Sequence, residues 1–445
     1  MGLDSDATAA LRTKYASTAW LNASFAAPAA SADDTLTVAG SAAKRGVVVL
    51  EDYLTRFMTI PRDVEAWTLA RLFRFFFDRI AGVLFDASNT VEAYVVICDD
   101  RKYVTRAKRR TQAARTETTR KADAKKGIAP PEPYTEAPST HSIDLRRLGK
   151  WDKRGTWLWE AFVPLAAQAM KKCPVGRVLF IDFDRDTGPV RINHEGAVTS
   201  MGKPLHMIGE ADPACLWWVA HWAPKRRDLD YHILSNDSDI FALYLLHHDA
   251  CVRRCQRVCQ HTDVKAGVMV DLSRMAEQLR ETTQLPNLAL VAAWLVACGT
   301  DFVDRTRVAY GITAEPLLAA FRSQARYVHC LGTPEEMLRA VLRDAWFVKL
   351  STSMQVPERF RKELPAPLSF DELRKRSKRV PSEAVLDEEC ARFAWNLDYW
   401  ANVHTGEEPC IDERMLALLV RSMVITPEPA ASASSSSSAM QVVVE

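Results

Sequence analysis

The sequence predicts an α/β protein built on a parallel sheet, and three observations predict it. Short apolar runs rich in β-branched residues recur through the chain, separated by longer segments with helical spacing. Several of these runs end in aspartate or glutamate. The central one is followed by Ser235-Asn236-Asp237-Ser238-Asp239, with a second apolar run directly after it. Strands joined by helical crossovers run parallel, so their ends share one edge of the sheet, where α/β proteins present their ligand sites.

The elements follow in order. Residues 1–45 form an alanine-rich leader of weak periodicity, at best partly helical. Gly46-Val47-Val48-Val49-Leu50 reads as a buried strand with Glu51 and Asp52 at its end. Residues 69–84 place Phe73, Phe76 and Phe77 at the spacing of a packed helix. Ala93-Tyr94-Val95-Val96-Ile97-Cys98 is a second strand, tipped by Asp99 and Asp100. Residues 101–126 are strongly basic, carrying Arg101, Lys102, Arg106, Lys108, Arg109, Arg110 and Arg115 among others, against only Glu117 and Asp123. Their alanines and long side chains suit a helix. Prolines make residues 127–140 a linker.

A helix at 157–170 leads to Val178-Leu179-Phe180-Ile181, a strand tipped by Asp182 and Asp184. Glu210-Ala211-Asp212-Pro213 opens another helix, since proline suits a first turn. Residues 231–234 and 267–270 read as strands, and a helix at 288–298 stops at Gly299, followed by Asp301. The main domain spans 46–325, and a mostly helical region occupies 326–429. Residues 430–445 are a serine-rich tail with too few apolar side chains to fold.

At 445 residues the chain can bury a large core, and its net charge of +2 points to no class of partner. No apolar run is long enough to span a bilayer, so no membrane association is expected. Ten cysteines scattered through apolar segments fit a reducing intracellular compartment.

The candidate functional residues are acidic: Asp52 or Glu51, Asp99, Glu210, Asp212, Asp237, Asp239 and Asp301. Oxygen ligands without histidine suit Mg²⁺ better than zinc. Two such ions, roughly 3.5–4 Å apart, activate water and stabilise the leaving oxygen of a phosphodiester. Singly, each acid has an ordinary reading: Asp212 as a helix cap, Asp237 in an Asx-type turn, Asp301 as loop punctuation. Their joint occurrence beside a basic segment points to chemistry. A second cluster comprises His247, His248, Cys251, Cys255, Cys259 and His261. Its cysteines fall at helical spacing, which lines them up on one stripe and leaves four zinc ligands in need of a chain reversal. Buried structural cysteines are the simpler reading.

Across residues 46–325 the order of these motifs resembles the flap endonuclease/XPG family of structure-specific nucleases, and most closely its divergent poxvirus members. The resemblance is carried by Asp52 with Tyr53-Leu54, Ile97-Cys98-Asp99-Asp100 followed by Ala107-Lys108-Arg109-Arg110, Glu210-Ala211-Asp212-Pro213-Ala214, Asp237-Ser238-Asp239 and Cys298-Gly299-Thr300-Asp301-Phe302. It implies a PIN-like fold and Mg²⁺-dependent cleavage of flapped or branched DNA in replication, repair or recombination, with two Mg²⁺ ions that Mn²⁺ can replace. It assigns Asp52, Asp99, Glu210 and Asp212 to one ion, and Asp237, Asp239 and Asp301 to the second. Arg106, Lys108 and Arg109 would contact the cleaved phosphate. Arg101, Lys102, Arg110, Arg115, Gly311 and Ile312 would bind DNA. A viral source would place the protein in a cytoplasmic factory; otherwise the nucleus is expected.

The chain departs from the family at three points. Its leader is longer, Asp52 is one residue out of step, and Gly311-Ile312-Thr313 stands where the family has Gly-Ile-Gly. No sliding-clamp motif is evident, so the partners expected besides DNA are other replication or recombination proteins. The alternative is a nucleic-acid-binding scaffold of the same fold that has lost catalysis. Separately, Phe180-Ile181-Asp182-Phe183-Asp184 resembles the nucleophile motif of haloacid-dehalogenase-type phosphatases, which would make Asp182 a covalent nucleophile.

Overall fold

A computed structural model describes residues 16–18, 46–61, 67–100, 102–127, 134, 140–145, 147–148, 156–202, 205–222, 226, 229–251, 257–263, 268–300, 312, 314–325, 333–353 and 369–407. Among them one nine-stranded sheet runs through the molecule in the order β1-β9-β8-β7-β2-β3-β4-β5-β6. Its strands are β1 (Ala16–Thr18), β2 (Gly46–Asp52), β3 (Val91–Ile97), β4 (Val178–Asp182), β5 (Val190–Asn193), β6 (Val198–Ser200), β7 (Leu229–Leu234), β8 (Val258–Asp263) and β9 (Val268–Asp271). The central strands β8, β7, β2, β3 and β4 are parallel, with antiparallel strands added on both flanks. The chain builds outward from β2 to β3 and β4, then returns past β2 to lay down β7 and β8. Strand order therefore reverses between β2 and β7, and an α/β sheet opens a crevice at such a reversal.

Helices cover both faces, because parallel strands are apolar on both sides. One face carries α1 (Tyr53–Phe57), α2 (Leu69–Leu84) and α4 (Thr156–Met170), packed against Val47, Val49, Tyr94 and Val96. The other packs Val48, Leu50, Val95 and Ile97 against α5 (Ala211–Trp222), α6 (Asp239–Cys251), α7 (Leu272–Thr283), α8 (Leu288–Ala297) and α9 (Ala314–Ala325). Beyond these lie α10 (Pro334–Ser353), α11 (Phe370–Arg376) and α12 (Glu383–Ala401), whose Trp346, Leu373 and Trp400 join the same core. The expected helical C-terminal region thus shares its packing with the sheet. The basic segment forms α3 (Arg106–Lys125), a helix with no apolar face.

Strand alternation decides what each tip residue sees. Along β2, Glu51 shares parity with Val47 and Val49 and turns toward α2, while Asp52 follows Val48 and Leu50 toward α5. The structure also holds strands that periodicity did not predict. The leader supplies β1, paired with β9, where a partly helical segment was expected. β8 was missed because Gln260 and His261 break its apolar run, yet both are buried. β5 and the edge strand β6 are short, with little apolar signal. No helix among the described residues is long and apolar enough to cross a membrane, and Cys98, Cys173, Cys215, Cys259 and Cys390 are buried free thiols.

One glycine fixes the approach of two loops beneath the strand tips. The Gly209 carbonyl accepts the Asp100 N–H at 2.7 Å, and a Cβ on Gly209 would overlap the backbone of Tyr103 and Val104. Backbone cannot swing aside as a flexible side chain can. Gly209→Ala is therefore expected to destabilise the fold by about 1–3 kcal/mol. Urea unfolding measures it, and an unchanged midpoint would mean that the loops separate freely.

Candidate functional site

The carboxyl ends of β2, β3 and β7 and the start of α5 form an acidic rim at the strand-order reversal. Asp52 caps α1, accepting the Leu54 N–H at 2.9 Å and the Thr55 hydroxyl at 3.0 Å. Thr55 Oγ1 also accepts the Asn236 N–H at 3.5 Å, which links the β2 tip to the β7 tip. Asp99 accepts the Ala211 N–H at 2.9 Å, at the positive end of α5. Asp212, on the first turn of that helix, accepts the Ser235 hydroxyl at 2.8 Å. Ser235 Oγ in turn accepts the Asp237 N–H at 3.1 Å. Asp237 Oδ1 accepts the Asp239 N–H at 3.1 Å, the Asx-type turn its position suggests.

The basic helix enters this rim through its first turn. Thr105 caps α3 by accepting the Lys108 N–H, and its hydroxyl donates to Glu210 Oε1 at 3.2 Å. Lys108 Nζ lies 3.3 Å from Glu210 Oε2, with both side chains largely buried. Burial pushes the Asp212 carboxyl well above the usual range, and the charges of Asp237 and Asp52 push it further; Lys108 opposes them. Repelling carboxylates around one lysine are a set that an added cation would relieve. The donors are oxygens throughout, which suits a hard divalent ion. Among the described residues, however, no three acidic, histidine or cysteine side chains are gathered as ligands of one ion. From the C-terminal region, α12 brings Tyr399 close; its phenol is held well above its ordinary value, first by burial and then by Glu210.

The structure places the remaining expected residues as follows. Glu51 lies outside the rim: it pairs with Arg79 Nη1 at 2.5 Å and accepts the Tyr94 hydroxyl at 2.7 Å. Asp52 is thus the residue facing the rim. Asp239, at 4% exposure, sits at the start of α6 with its side chain enclosed. Lys102 is at the surface, paired with Asp186. Ile312, expected to contact DNA, is 4% exposed and its side chain belongs to the core. Asp301, Arg101 and Gly311 lie outside the described residues. Arg106, Arg109, Arg110 and Arg115 lie on α3, with side chains outside the described set.

Asp182 is not a nucleophile. Its carboxylate is wholly buried, pairing with Arg185 Nη1 and accepting from His206 Nε2 at 2.9 Å and the Trp218 indole at 2.7 Å. Burial alone would raise its pKa; Arg185 and His206 outweigh that and hold it far below the usual range. Arg185 also donates to the carbonyls of Ile208 and Cys98, and its backbone N–H donates to Asp100. It braces the β3 and β4 tips against the strand of chain that delivers Glu210. Sequence reasoning missed Arg185, Thr55, Ser235 and Gln260, whose roles are set by contacts distant in the chain.

The cysteine–histidine stripe is corrected in the same way. Cys259 and His261 lie on β8, not on a helix, and burial pushes the Cys259 thiol up to about 12. Cys255 and the Cys251 side chain are outside the described residues. His261 Nε2 meets His232 Nδ1 at 2.9 Å, and His247 Nε2 donates to the Trp400 carbonyl at 2.5 Å. Burial holds His247 and His261 down to about 4. Below the unfolded value of about 6.5 the unfolded chain binds protons that the native imidazoles refuse, so stability falls with pH until about 4. The expected loss at pH 5 relative to pH 7 is about 2 kcal/mol per histidine. Urea midpoints at the two pH values test it, and equal midpoints would mean that these imidazoles are solvated.

An apolar cavity of about 450 Å³ between α6, α8, α10 and α12 contains none of the rim's carboxylates. Its lining is apolar apart from Asn287, Thr333 and Asp398, and the polar rim remains the better candidate for chemistry. No protein-family model and no curated protein matches the chain.

Proposed function

We propose that the chain is a Mg²⁺-dependent nuclease of PIN-like fold, of the flap endonuclease/XPG kind, hydrolysing phosphodiesters at flaps, junctions or ends of DNA. The observation that carries this reading is the convergence of Asp52, Asp99, Glu210, Asp212 and Asp237 on one rim at the reversal between β2 and β7. Bound there, divalent ions would supply an activated water and charge neutralisation for the leaving oxygen. On this reading Asp52, Asp99, Glu210 and Asp212 would hold one ion and Asp237 the other, to which Asp301 and, with a shift of its enclosed side chain, Asp239 would add. Thr55 and Ser235 orient carboxylates from both sides of the reversal. Lys108, with Arg106 and Arg109 on the same helix, would hold the phosphate as charge develops on it. The rest of α3 would grip the backbone without regard to sequence. This work on DNA implies an intracellular, reducing setting.

A second reading, a catalytically silent nucleic-acid scaffold, is favoured by one observation. Lys108 pairs with Glu210, and among the described residues the acidic set is not gathered around an ion site. Incubation with labelled 5′-flap, junction and recessed-end DNA in Mg²⁺ or Mn²⁺ separates the two. Ion-dependent cleavage is expected. Binding without cleavage of any substrate would leave the scaffold.

A further inference from the structure

We propose that Gln260 is a positioning residue for the acidic rim, holding the loop that carries Ser235 and Asp237. The proposal rests on the nuclease reading. β7 leaves its ladder after Leu234, whose partner on β8 is His261, so the following carbonyls need new donors. Gln260, one residue earlier on β8 and wholly buried, supplies them: its Nε2 donates to the Ser235 carbonyl at 2.9 Å and to the Asp237 carbonyl at 2.6 Å. Both amide hydrogens are thereby used. A flipped amide would set its oxygen against two carbonyls, so the network fixes the orientation.

From this amide a chain of hydrogen bonds runs into the rim. Ser235 Oγ reaches Asp212 and receives the Asp237 N–H, while the Asn236 N–H, between the two anchored carbonyls, reaches Thr55 on Asp52. One side chain outside the rim thus sets three carboxylates, on both sides of the strand-order reversal. Gln260 Oε1 is buried with no hydrogen-bond partner among the described residues, a cost that simple packing would remove by placing methionine or leucine there. Holding the loop is the compensation.

The test is Gln260→Met in the full chain, of equal length but without donors, probed with Mn²⁺ alone by titration calorimetry or electron paramagnetic resonance. With near-UV circular dichroism unchanged, Mn²⁺ affinity is expected to fall about tenfold to a hundredfold, as for lost outer contacts to metal ligands. Flap cleavage should lose kcat at fixed Mn²⁺, recover as Mn²⁺ is raised, and keep its KM for DNA. Equal Mn²⁺ affinity in folded wild type and variant overturns the proposal alone. No Mn²⁺ binding by the wild type, with or without DNA, overturns the nuclease reading and this proposal with it. Should Gln260→Met fail to fold, Ser235→Ala cuts the chain one link further on, and unchanged Mn²⁺ affinity there overturns the proposal.

Discussion

In the proposed nuclease, Asp237→Ala and Asp237→Asn are expected to lower ion-dependent cleavage of flap DNA at least about a thousandfold, a loss of about 4 kcal/mol of transition-state stabilisation. Asp237 lies three residues beyond the end of β7, and its charge is the first neighbour, after burial, to lift the Asp212 carboxyl. Losing it removes a charged ligand and lets Asp212 ionise more readily. That second effect strengthens Asp212 as a ligand, so a site needing one carboxylate would be spared and a two-ion site would not. DNA affinity should stay within about threefold, since removing a negative charge from a rim that would face phosphate does not repel the backbone. The asparagine variant keeps an acceptor for the Asp239 N–H and hence the turn. Single-turnover cleavage and fluorescence anisotropy at one salt concentration measure both quantities. Wild-type rates in either variant would remove Asp237 from the mechanism.

The second large effect is on stability. Arg185→Leu should cost about 3–5 kcal/mol, because it strands the Asp182 carboxylate in the interior. Arg185 is 1% exposed and binds that carboxylate, the carbonyls of Cys98 and Ile208, and, through its own N–H, Asp100. His206 and Trp218 still donate to Asp182 but bring no fixed charge. Combining Arg185→Leu with Asp182→Asn should recover part of the loss by removing the orphaned charge. Urea unfolding decides it: a cost under about 1 kcal/mol for the single variant would show that water or a rearranged side chain replaces the guanidinium.

Strands β2, β3, β4 and β7 at the sheet's centre were legible because β-branched runs buried on both faces leave an unbroken apolar signal. Which acid faces the rim was not stated by the motif match, yet period-two alternation separates Glu51 from Asp52 once Val47 to Leu50 are assigned to faces. β8 stayed hidden because its buried polar residues bond to partners that only the tertiary fold supplies. Asp182 looked like Asp99 and Asp237, a carboxylate ending an apolar run. Arg185, three residues later, turns it inward, and a strand tip does not announce its counter-ion. Ile312, which a short motif match names for DNA contact, has its side chain in the core, so any such contact falls to its backbone.

One feature of α3 reaches beyond the rim. Its 20 residues extend about 30 Å from an end anchored by Thr105 and Lys108 beside Glu210. At 3.4 Å of rise per base pair that is the length of roughly nine base pairs. In the proposed nuclease it is a ruler with its zero mark at the chemistry. The shortest DNA held firmly would then be set by the length of this helix, and shortening α3 turn by turn would shrink the protein's footprint in steps while the cutting position stayed fixed.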